Sequence, residues 1–496
     1  MAPIGPRSHE MAREMAGRAS HAPLGEPLRV AAMLALSGRA GAHKAAGAWG
    51  AWGGAPARPP AILLLGCGDG TAPALLAACG ADVTTLEPHG PAAEVAAALL
   101  RAADLPGRVI HAPFETAAAH GIGPLDLATM AEGWSDAPGP ARAAILALLA
   151  ARLRAGATFY LHHSVMLGAA RDLPLRRLAR AIWARSDPGL APRARADAAL
   201  GALNDMLPAC HALLRAYGGY EAEMAEIGAL PAHARIARWF EGEGEGGRDG
   251  IAALGRAAIA AGLGDPCPAD PMRLVRDLDL TAEQQALIDA PSAFPADPSQ
   301  AAYLVAELAD LATCRVMRVD LLVKSTPGPR DTACAGAIML RRIMGEEEAL
   351  ATPLLGFLGP HGASRAVFGP ILRAAPEGES VTLAALAAAA GLSVDAAIPH
   401  MAALIGQGSL APATTEAEAA RIAPACARLN AVLAARWARD GTGGPLAAPA
   451  LGGAVFASAA ALAAPGARSD SQTGAPDRET AREIGALHRL GVAWGA

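Results

Sequence analysis

The stretch Ala61 to Glu87, AILLLGCGDGTAPALLAACGADVTTLE, decides the fold of this chain. It begins with an uninterrupted apolar run at 62–65, which is typical of a parallel strand covered on both faces. A glycine-rich turn follows at 66–70, and an alanine-rich segment over 72–79 predicts a helix. A second apolar run at 83–86 predicts a second strand. The stretch is therefore predicted to be the first β-α-β unit of an open α/β sheet.

The glycines of this unit stand at alternate positions, Gly66, Gly68 and Gly70. Because glycine has no Cβ atom, the backbone there can turn sharply and approach a ligand closely. A dinucleotide-binding fingerprint would place its third glycine at position 71, which is Thr71. Glu87 ends the second strand, where an acid accepts hydrogen bonds from ribose hydroxyls. The unit predicts a site for a nucleoside-containing ligand.

Composition limits the kinds of function that the chain can have. The 496 residues are enough for two to four domains. A formal net charge of −5 argues against a general polyanion-binding surface, so nucleic acid is not expected as a partner. The seven cysteines include no C-x-x-C pair, which favours a reducing compartment and disfavours a thiolate zinc site.

Targeting and membrane signals are weak in this sequence. No basic region followed by an apolar core marks a signal peptide at the N-terminus. The uncharged run 441–467 is interrupted by Pro445, Pro449 and Pro465, which make a continuous membrane-spanning helix improbable. We therefore expect a cytoplasmic protein without a membrane span.

Beyond Glu87 the pattern continues to alternate between strand and helix. The predicted strands are 108–111, 125–130 and 157–162, and the predicted helices are 92–103 and 140–153. In open α/β sheets, ligands bind outside the carboxyl ends of the strands. The loops that follow the five strands should therefore open onto one edge: 66–70, 87–89, 112–115, 131–135 and 162–166.

The remaining sequence predicts additional modules around this core. Segments near 263–268 and 318–324 are predicted to return to the core sheet as its sixth and seventh strands. Residues 364–410 resemble a winged-helix layout, but 382–406 contain no Lys or Arg to meet phosphates, which disfavours DNA binding. From 441 the chain is predicted to be irregular, with a closing helix over 476–491. The predicted domains are an N-terminal helical cap and linker (1–60), the ligand-binding core (61–168), a helical domain (169–325) and a C-terminal α+β module (326–496).

Two stretches carry a resemblance to a known family. The loop LGCGDG at 65–70 matches the L-G-C-G-D-G of bacterial class I S-adenosylmethionine-dependent methyltransferases that have a methyltransferase regulatory domain. The segment LAAPALGG at 446–453 resembles their LASPVLGG. This group includes protein-lysine methyltransferases of rickettsial outer-membrane proteins, and the likeness covers roughly residues 20–460. It implies a Rossmann-like class I methyltransferase sheet, a helical insertion and a separate winged-helix-like C-terminal module.

The resemblance also implies a reaction and the residues that serve it. The reaction is methyl transfer from S-adenosylmethionine to a nucleophile on a protein, such as a lysine, or on a small molecule, and it requires no metal. The implied cofactor-binding residues are Gly66, Cys67, Gly68, Asp69, Gly70, Glu87, Pro88, Phe114, Glu115 and Ala131. The candidate bases at the same edge are Glu132, His162 and His163. The two histidines are adjacent, so on a strand they should point to opposite faces.

The chain departs from the family where the chemistry is expected. The family's acid two residues before the first glycine is Leu64 here. Its Y-S-W-V after the fourth strand is represented only by Gly-Trp-Ser at 133–135, and its Y-N-T-L-P-G-W after the fifth strand is replaced over 163–169. A cofactor-binding scaffold with weakened catalysis is therefore the rival hypothesis. A nucleotide-dependent oxidoreductase is disfavoured by Thr71.

Overall fold

A computed structural model gives the fold of the chain. It describes residues 27–37, 58–165, 176, 178–206, 227, 236, 240, 251–290, 298–313, 315, 317–324, 333–463 and 478–493. Much of the predicted helical insertion over 169–260 lies outside these residues.

The central feature is a seven-stranded sheet with the strand order β3-β2-β1-β4-β5-β7-β6. Its strands are β1 Ala61–Leu65, β2 Asp82–Glu87, β3 Arg108–His111, β4 Leu125–Met130, β5 Leu153–Ser164, β6 Leu263–Pro268 and β7 Met317–Lys324. Strands β1 to β5 pair in parallel, whereas β7 runs antiparallel to both β5 and β6. The two segments predicted to return to the sheet do so.

Helices cover both faces of this sheet. The described helices of this part of the chain are α1 Pro27–Leu36, α2 Thr71–Ala78, α3 Gly90–Ala102, α4 Gly139–Arg152, α5 Pro192–Met206, α6 Ile251–Ala260, α7 Ala282–Ile288 and α8 Pro298–Ala312, of which α2 and α3 cover one face and α4 and α6 the other. In β1, Ile62 and Leu64 belong to the core on the side of α2 and α3, and Leu63 and Leu65 belong to the core on the side of α4 and α6. The apolar run at 62–65 is therefore buried on both faces, as predicted for a central parallel strand.

Helix α1 is enclosed by other parts of the chain. Every residue from 30 to 36 is at most 3 % exposed. The helix packs against β6 and against the segment Ala333–Ala337, and the Cys267 thiol donates to Ser37 Oγ at 3.0 Å. It is buried on all sides because it lies between the edge of the sheet and the C-terminal part of the chain.

The C-terminal part forms a second module with its own sheets. Its strands are β8 Met339–Arg342, β9 Leu354–Gly356, β10 Gly359–His361, β11 Ser380–Thr382, β12 Leu410–Pro412, β13 Gly444–Ala448 and β14 Gly453–Ala457. Its helices are α9 Glu346–Ala351, α10 Arg365–Ala374, α11 Leu383–Ala389, α12 Val394–Gln407, α13 Glu416–Asp440, α14 Ala459–Ala463 and α15 Arg478–Arg489. The antiparallel sheet β11-β8-β12 lies beside α10, α11 and α12, which is a winged-helix-like arrangement.

The prediction that the chain is irregular from 441 onward is wrong. Strands β13 and β14 form an antiparallel hairpin in which Pro445 lies opposite Phe456. A two-stranded ribbon tolerates proline because every second N–H of each strand lies outside the ladder. Proline and glycine in this segment therefore did not prevent strand formation, although they suggested a loop.

The described residues include no single helix with the length and apolar character of a membrane span. Helices α11 and α12 reach those limits only when they are taken together, and they are bent by 103° relative to each other.

Candidate functional site

The glycine loop between β1 and α2 has a conformation that requires glycine. Gly66, Gly68 and Gly70 have φ angles of +89°, +51° and +81°, in the left-handed region. At Gly70 a Cβ atom would lie only 2.7 Å from Ala96 Cα of α3. At Gly68 a Cβ would meet no atom within 4 Å. The loop is thus packed against α3 at Gly70 and faces open space at Gly68.

Glu87 holds the loop from the end of β2. Its carboxylate accepts hydrogen bonds from the backbone N–H groups of Cys67 at 2.7 Å and His89 at 2.8 Å, and the residue is 6 % exposed. A carboxylate offers about four lone-pair sites, so two amide donors leave it able to accept further hydrogen bonds. Glu87 therefore shapes the glycine loop and can also receive ligand hydroxyls, as predicted for the ribose.

Cys67 takes part in the glycine loop through its backbone N–H rather than through its thiol. Burial and the neighbouring negative charge of Glu87 raise the pKa of the Cys67 thiol far above its usual value. The Sγ atom lies 3.4 Å from the carbonyl oxygen of Ala92 in α3. Because the thiol stays protonated near neutral pH, it is not a nucleophile, and the N–H bond to Glu87 is what the loop uses.

Asp69 binds Thr71, the first residue of α2, through its carboxylate. Its carboxylate accepts hydrogen bonds from the Thr71 backbone N–H at 3.0 Å and from Thr71 Oγ1 at 2.9 Å. On its other side it meets Arg436 of α13, with Nη2 3.2 Å from Oδ2. The contact with Arg436 joins residues that are 367 positions apart, so no local sequence signal announces it.

The remaining predicted cofactor residues follow the ends of β2, β3 and β4. Pro88 and Glu115 are exposed, and Ala131 is half-buried. Phe114 is half-buried and starts a short 3-10 helix, Phe114–His120, where a loop was predicted. Because these strands are parallel, all four residues lie at the same edge of the sheet as the glycine loop.

Glu132, which follows β4, and His162, which is near the end of β5, lie at the same edge of the sheet. Glu132 is exposed, and His162 is half-buried. His162 Nδ1 donates a hydrogen bond to the Ala131 carbonyl oxygen at 2.8 Å. Since a carbonyl only accepts, this bond puts the proton of the neutral ring on Nδ1 and the lone pair on Nε2. The ring is thereby oriented for Nε2 to act as a base.

His163 points to the opposite face of the sheet, as predicted, and it is only 3 % exposed. Its Nε2 lies 3.0 Å from Asp320 Oδ2, and Asp320 is fully buried and bound by Arg318 through two contacts of 2.7 Å. Burial opposes the ionisation of Asp320, but the charge and hydrogen bonds of Arg318 outweigh it and lower the carboxyl pKa. His163 thus belongs to a buried ion cluster that ties β5 to β7.

The sequence analysis assigned no role to Asp320, although the sequence contains a signal for its pairing with Arg318. Arg318 and Asp320 are opposite charges two positions apart in an apolar strand, so both side chains lie on one face and can pair. Charged residues of this kind inside a buried strand are paired in folded proteins.

A cavity of about 210 Å³ lies on the face of the sheet that carries α4 and α6. Most of its lining is apolar, with Trp134, Leu146 and Leu254 among the contributing side chains, and Arg142 and His163 add polar atoms. Trp134 packs edge-on against Phe159, with ring centroids 6.1 Å apart. The cavity borders the loop that follows β4, and His163 is the candidate base that lines it.

A second buried carboxylate lies near the amino end of β4. Asp126 is fully buried and accepts hydrogen bonds from Arg58 at 2.6 and 2.7 Å, from Arg154 at 2.8 Å and from the Ala61 N–H at 2.8 Å. Burial would raise the pKa of Asp126, but these donors outweigh it and hold the pKa below its ordinary value. This carboxylate is remote from the glycine loop and fully engaged by protein groups.

Comparisons with known proteins agree with this architecture. No protein-family model and no curated protein sequence matches the chain significantly. The solved structure of PKMT2 from Rickettsia typhi in complex with AdoHcy is similar over 79 % of this chain and 76 % of that chain, with a TM-score of 0.52 and 14 % identity. A second structure of PKMT2 from Rickettsia typhi is similar over 88 % of this chain and 94 % of that chain, with a TM-score of 0.53 and 13 % identity.

Taken with the strand order and the single reversed strand β7, these similarities show the fold of the chain. It is the Rossmann-like class I methyltransferase fold with additional modules. The likeness extends over most of both chains, including the part that follows β7.

Proposed function

We propose that this chain is an S-adenosylmethionine-dependent methyltransferase. The observation that carries the proposal is the conformation of the glycine loop. Three of its glycines have positive φ angles, and its Cys67 N–H donates a hydrogen bond to the carboxylate of Glu87. This loop lies at the carboxyl edge of a class I methyltransferase sheet. AdoHcy, which is bound in one of the similar structures, is what remains of S-adenosylmethionine after methyl transfer.

The residues of the loop fit this cofactor. Glu87 has acceptor capacity for two ribose hydroxyls, and the open face at Gly68 lets a ligand lie against the backbone. At the start of α2 the Thr71 N–H is already bonded to Asp69 and Pro73 has no N–H, so the open face of the loop rather than the helix end is what a ligand meets. Phe114 and Glu115 follow β3, where they would border the adenine ring.

The bound cofactor supplies a methyl group that is already activated by the positive sulfur. The chain therefore has to align a nucleophile with this methyl group and exclude water. Transfer would form a bond between the nucleophile and the methyl carbon and break the sulfur–methyl bond, whose electron pair would stay on sulfur, and a lysine nucleophile would give up its ammonium proton before the attack. We assign the acceptance of that proton to His162 Nε2, because the Nδ1 bond to Ala131 orients the ring.

The methyl acceptor proposed here is a protein lysine, supported by the fold-level likeness to PKMT2. A lysine must lose its proton before it can attack, which requires either desolvation or a nearby base. The exposed carboxylate of Glu132 lies beside the same edge and can attract the ammonium group before it loses the proton.

A cofactor-binding scaffold without turnover is the second candidate, and Leu64 favours it. Leu64 is 3 % exposed and belongs to an apolar cluster, where the similar family has an acid for the cofactor's ammonium group. Losing a charged hydrogen bond costs about 1.5–3 kcal/mol, which corresponds to roughly a ten- to hundredfold loss of affinity.

Calorimetry with S-adenosylmethionine and S-adenosylhomocysteine tests the proposal. We expect saturable binding of both ligands, followed by transfer of labelled methyl groups from the cofactor to proteins of a cell lysate. His162→Gln should bind both ligands normally and transfer methyl groups at least tenfold more slowly. No binding at millimolar cofactor by the folded protein would overturn the proposal, and binding without transfer would establish the scaffold.

Two further assignments belong with this proposal. We propose a cytoplasmic location, which suits a chain whose seven cysteines include no C-x-x-C pair. We also propose the division into domains at 1–60, 61–168, 169–325 and 326–496, with β6 and β7 contributed to the core sheet by the third segment.

A further inference from the structure

The long helix α13 of the C-terminal module packs directly on the first β-α-β unit. It begins after Thr415, whose Oγ1 accepts a hydrogen bond from the Glu418 N–H, and it ends at Gly441 with a φ of +65°. One stripe of the helix is buried and packs on the side of the sheet that carries α2. The stripe consists of Ile422, Cys426, Leu429 and Leu433. The next position of the same stripe is Arg436.

Three polar contacts join α13 to the ends of α2 and α3. The Cys426 thiol donates to the Ala78 carbonyl oxygen at the end of α2, at 3.5 Å. Arg428 donates to the carbonyl oxygens of Ala103 and Asp104, just past the end of α3, at 3.2 Å each. These contacts satisfy carbonyl groups that the ends of α2 and α3 leave without intrahelical partners. Helix α13 therefore contacts the ends of both α2 and α3 before it reaches the glycine loop.

Arg436 is the residue of α13 that reaches the loop. Its Nη1 donates to the Asp69 carbonyl oxygen at 3.1 Å, and its Nη2 lies 3.2 Å from Asp69 Oδ2. The guanidinium lies 4.9 Å from the ring centroid of Trp437, whose Nε1 donates to the Pro445 carbonyl oxygen at 3.4 Å. The Trp437 ring thus lies against the Arg436 guanidinium, and Arg436 bonds to both the backbone and the side chain of Asp69.

Asp69 lies between two of the glycines of the loop. It stands between Gly68 and Gly70, both of which have positive φ angles. Glycine loses more backbone freedom on ordering than any other residue, so a loop built from glycines is costly to hold in one conformation. A contact from outside the loop that fixes its shape before the ligand arrives lowers the cost of binding.

We propose that Arg436 is a positioning residue through which the C-terminal module sets the affinity of the glycine loop for S-adenosylmethionine. The proposal rests on the proposed function, because it concerns the same cofactor site. It also implies the reverse effect: cofactor binding must strengthen the contact between α13 and the loop by the same factor. The C-terminal module is then part of the cofactor site rather than an appended partner-binding domain.

Calorimetry of Arg436→Gln against a matched control tests this role. Arg428→Gln is the control, since Arg428 lies on the same helix and contacts the residues just past α3 without reaching the loop. We expect Arg436→Gln to raise the Kd for S-adenosylhomocysteine about fivefold, as for one partly exposed charged contact. Arg428→Gln should stay within twofold of the native chain. Arg436→Lys keeps the charge but not the two-point contact, so it should fall between them.

Amide hydrogen exchange without ligand provides a second measurement. Arg436→Gln should speed exchange at the amides of residues 66–70, whereas Arg428→Gln should leave those amides unchanged. Equal Kd values for the native chain and Arg436→Gln would overturn the proposal, and so would an equal loss of affinity in both variants. A native chain that binds no cofactor contradicts the proposed function instead, and the exchange experiment then still tests the contact between Arg436 and the loop.

Discussion

Glu87 and Asp126 are two buried carboxylates in the same sheet, and they differ in their partners. Glu87 lies at the carboxyl edge and accepts hydrogen bonds from two backbone N–H groups, which carry no net charge. Asp126 lies near the amino edge and is bound by two arginines and one backbone N–H. Burial alone does not separate them, since their exposed fractions are 6 % and 0 %.

The difference teaches how a site carboxylate can be recognised in this fold. Asp126 has its negative charge neutralised by the protein, so a ligand has little to gain from it. Glu87 is held by two neutral N–H groups, which leave part of its acceptor capacity, and it lies at the edge where parallel-sheet ligands bind. A carboxylate held only by amides at this edge is therefore assigned to the ligand, and one neutralised by arginines is assigned to the fold.

Replacing Glu87 is expected to have the largest effect on binding. In Glu87→Ala we expect the Kd for S-adenosylhomocysteine to rise about ten- to hundredfold, because the ribose loses a charged acceptor. Calorimetry measures this change. Glu94→Ala, at an exposed acid on α3, is the control and should bind as the native chain does. Unchanged affinity in Glu87→Ala would refute the ribose assignment and remove the contrast with Asp126.

Replacing Asp126 is expected to affect stability instead. Asp126→Asn removes the charged partner of Arg58 and Arg154, and we expect the free energy of unfolding to fall by about 2 kcal/mol. Urea unfolding followed by circular dichroism measures this. Asp82→Asn, at an exposed acid at the start of β2, should change it by less than about 0.5 kcal/mol. Cofactor affinity should stay within twofold in both variants, and a large loss of affinity in Asp126→Asn would contradict the comparison.

The pH dependence of stability sharpens the same comparison. The pKa of Asp126 is lowered in the folded chain, so its carboxylate adds stability above the unfolded pKa of about 3.9. That contribution disappears as the pH falls through the lower folded pKa, where Asp126 becomes protonated. We therefore expect the difference in unfolding free energy between the native chain and Asp126→Asn to shrink below about pH 4. A difference that is constant from pH 7 to pH 3 would contradict this.

The smallest expected effect concerns Cys67, which lies beside Glu87. Because burial and the Glu87 charge raise its pKa, Cys67 should react with N-ethylmaleimide at pH 8 more slowly than the half-buried Cys334. Mass spectrometry of digested protein, sampled over time, gives the rate at each site. In Glu87→Gln the reaction at Cys67 should become faster, since the neighbouring charge is gone. An equal rate in both chains would show that Glu87 does not act on this thiol.

The central sheet was largely predictable from the sequence because its signals are local. The predicted strand 108–111 matches β3, and the predicted second strand is extended by one residue at each end in β2. The glycine spacing and the acid at the end of β2 predicted the loop and singled out Glu87. The faces of His162 and His163 followed from the alternation of side chains along a strand. Each of these inferences depends on residues that are close together in the chain.

What the sequence did not reveal depends on distant partners. The contact of Arg436 with Asp69 joins two modules, and the neutralisation of Asp126 by Arg58 depends on residues 68 positions apart. Pro399 lies inside α12, and the helix continues through it because Met401 and Leu404 are buried in the module core and their packing outweighs the one hydrogen bond that proline removes. The hairpin β13–β14 was missed because proline is usually excluded from strand interiors.

The packing of α13 on α2 also constrains how the chain folds as it leaves the ribosome. The Cys426–Ala78 contact joins residues that are 348 positions apart. At translation rates of about 5–20 residues per second, α2 emerges roughly 20–70 s before the helix that covers it. Until then the apolar surface of the nascent β-α-β unit has no native cover, and native contacts of such sequence separation form slowly. Efficient production of this chain is therefore expected to depend on chaperones that hold the nascent amino-terminal half.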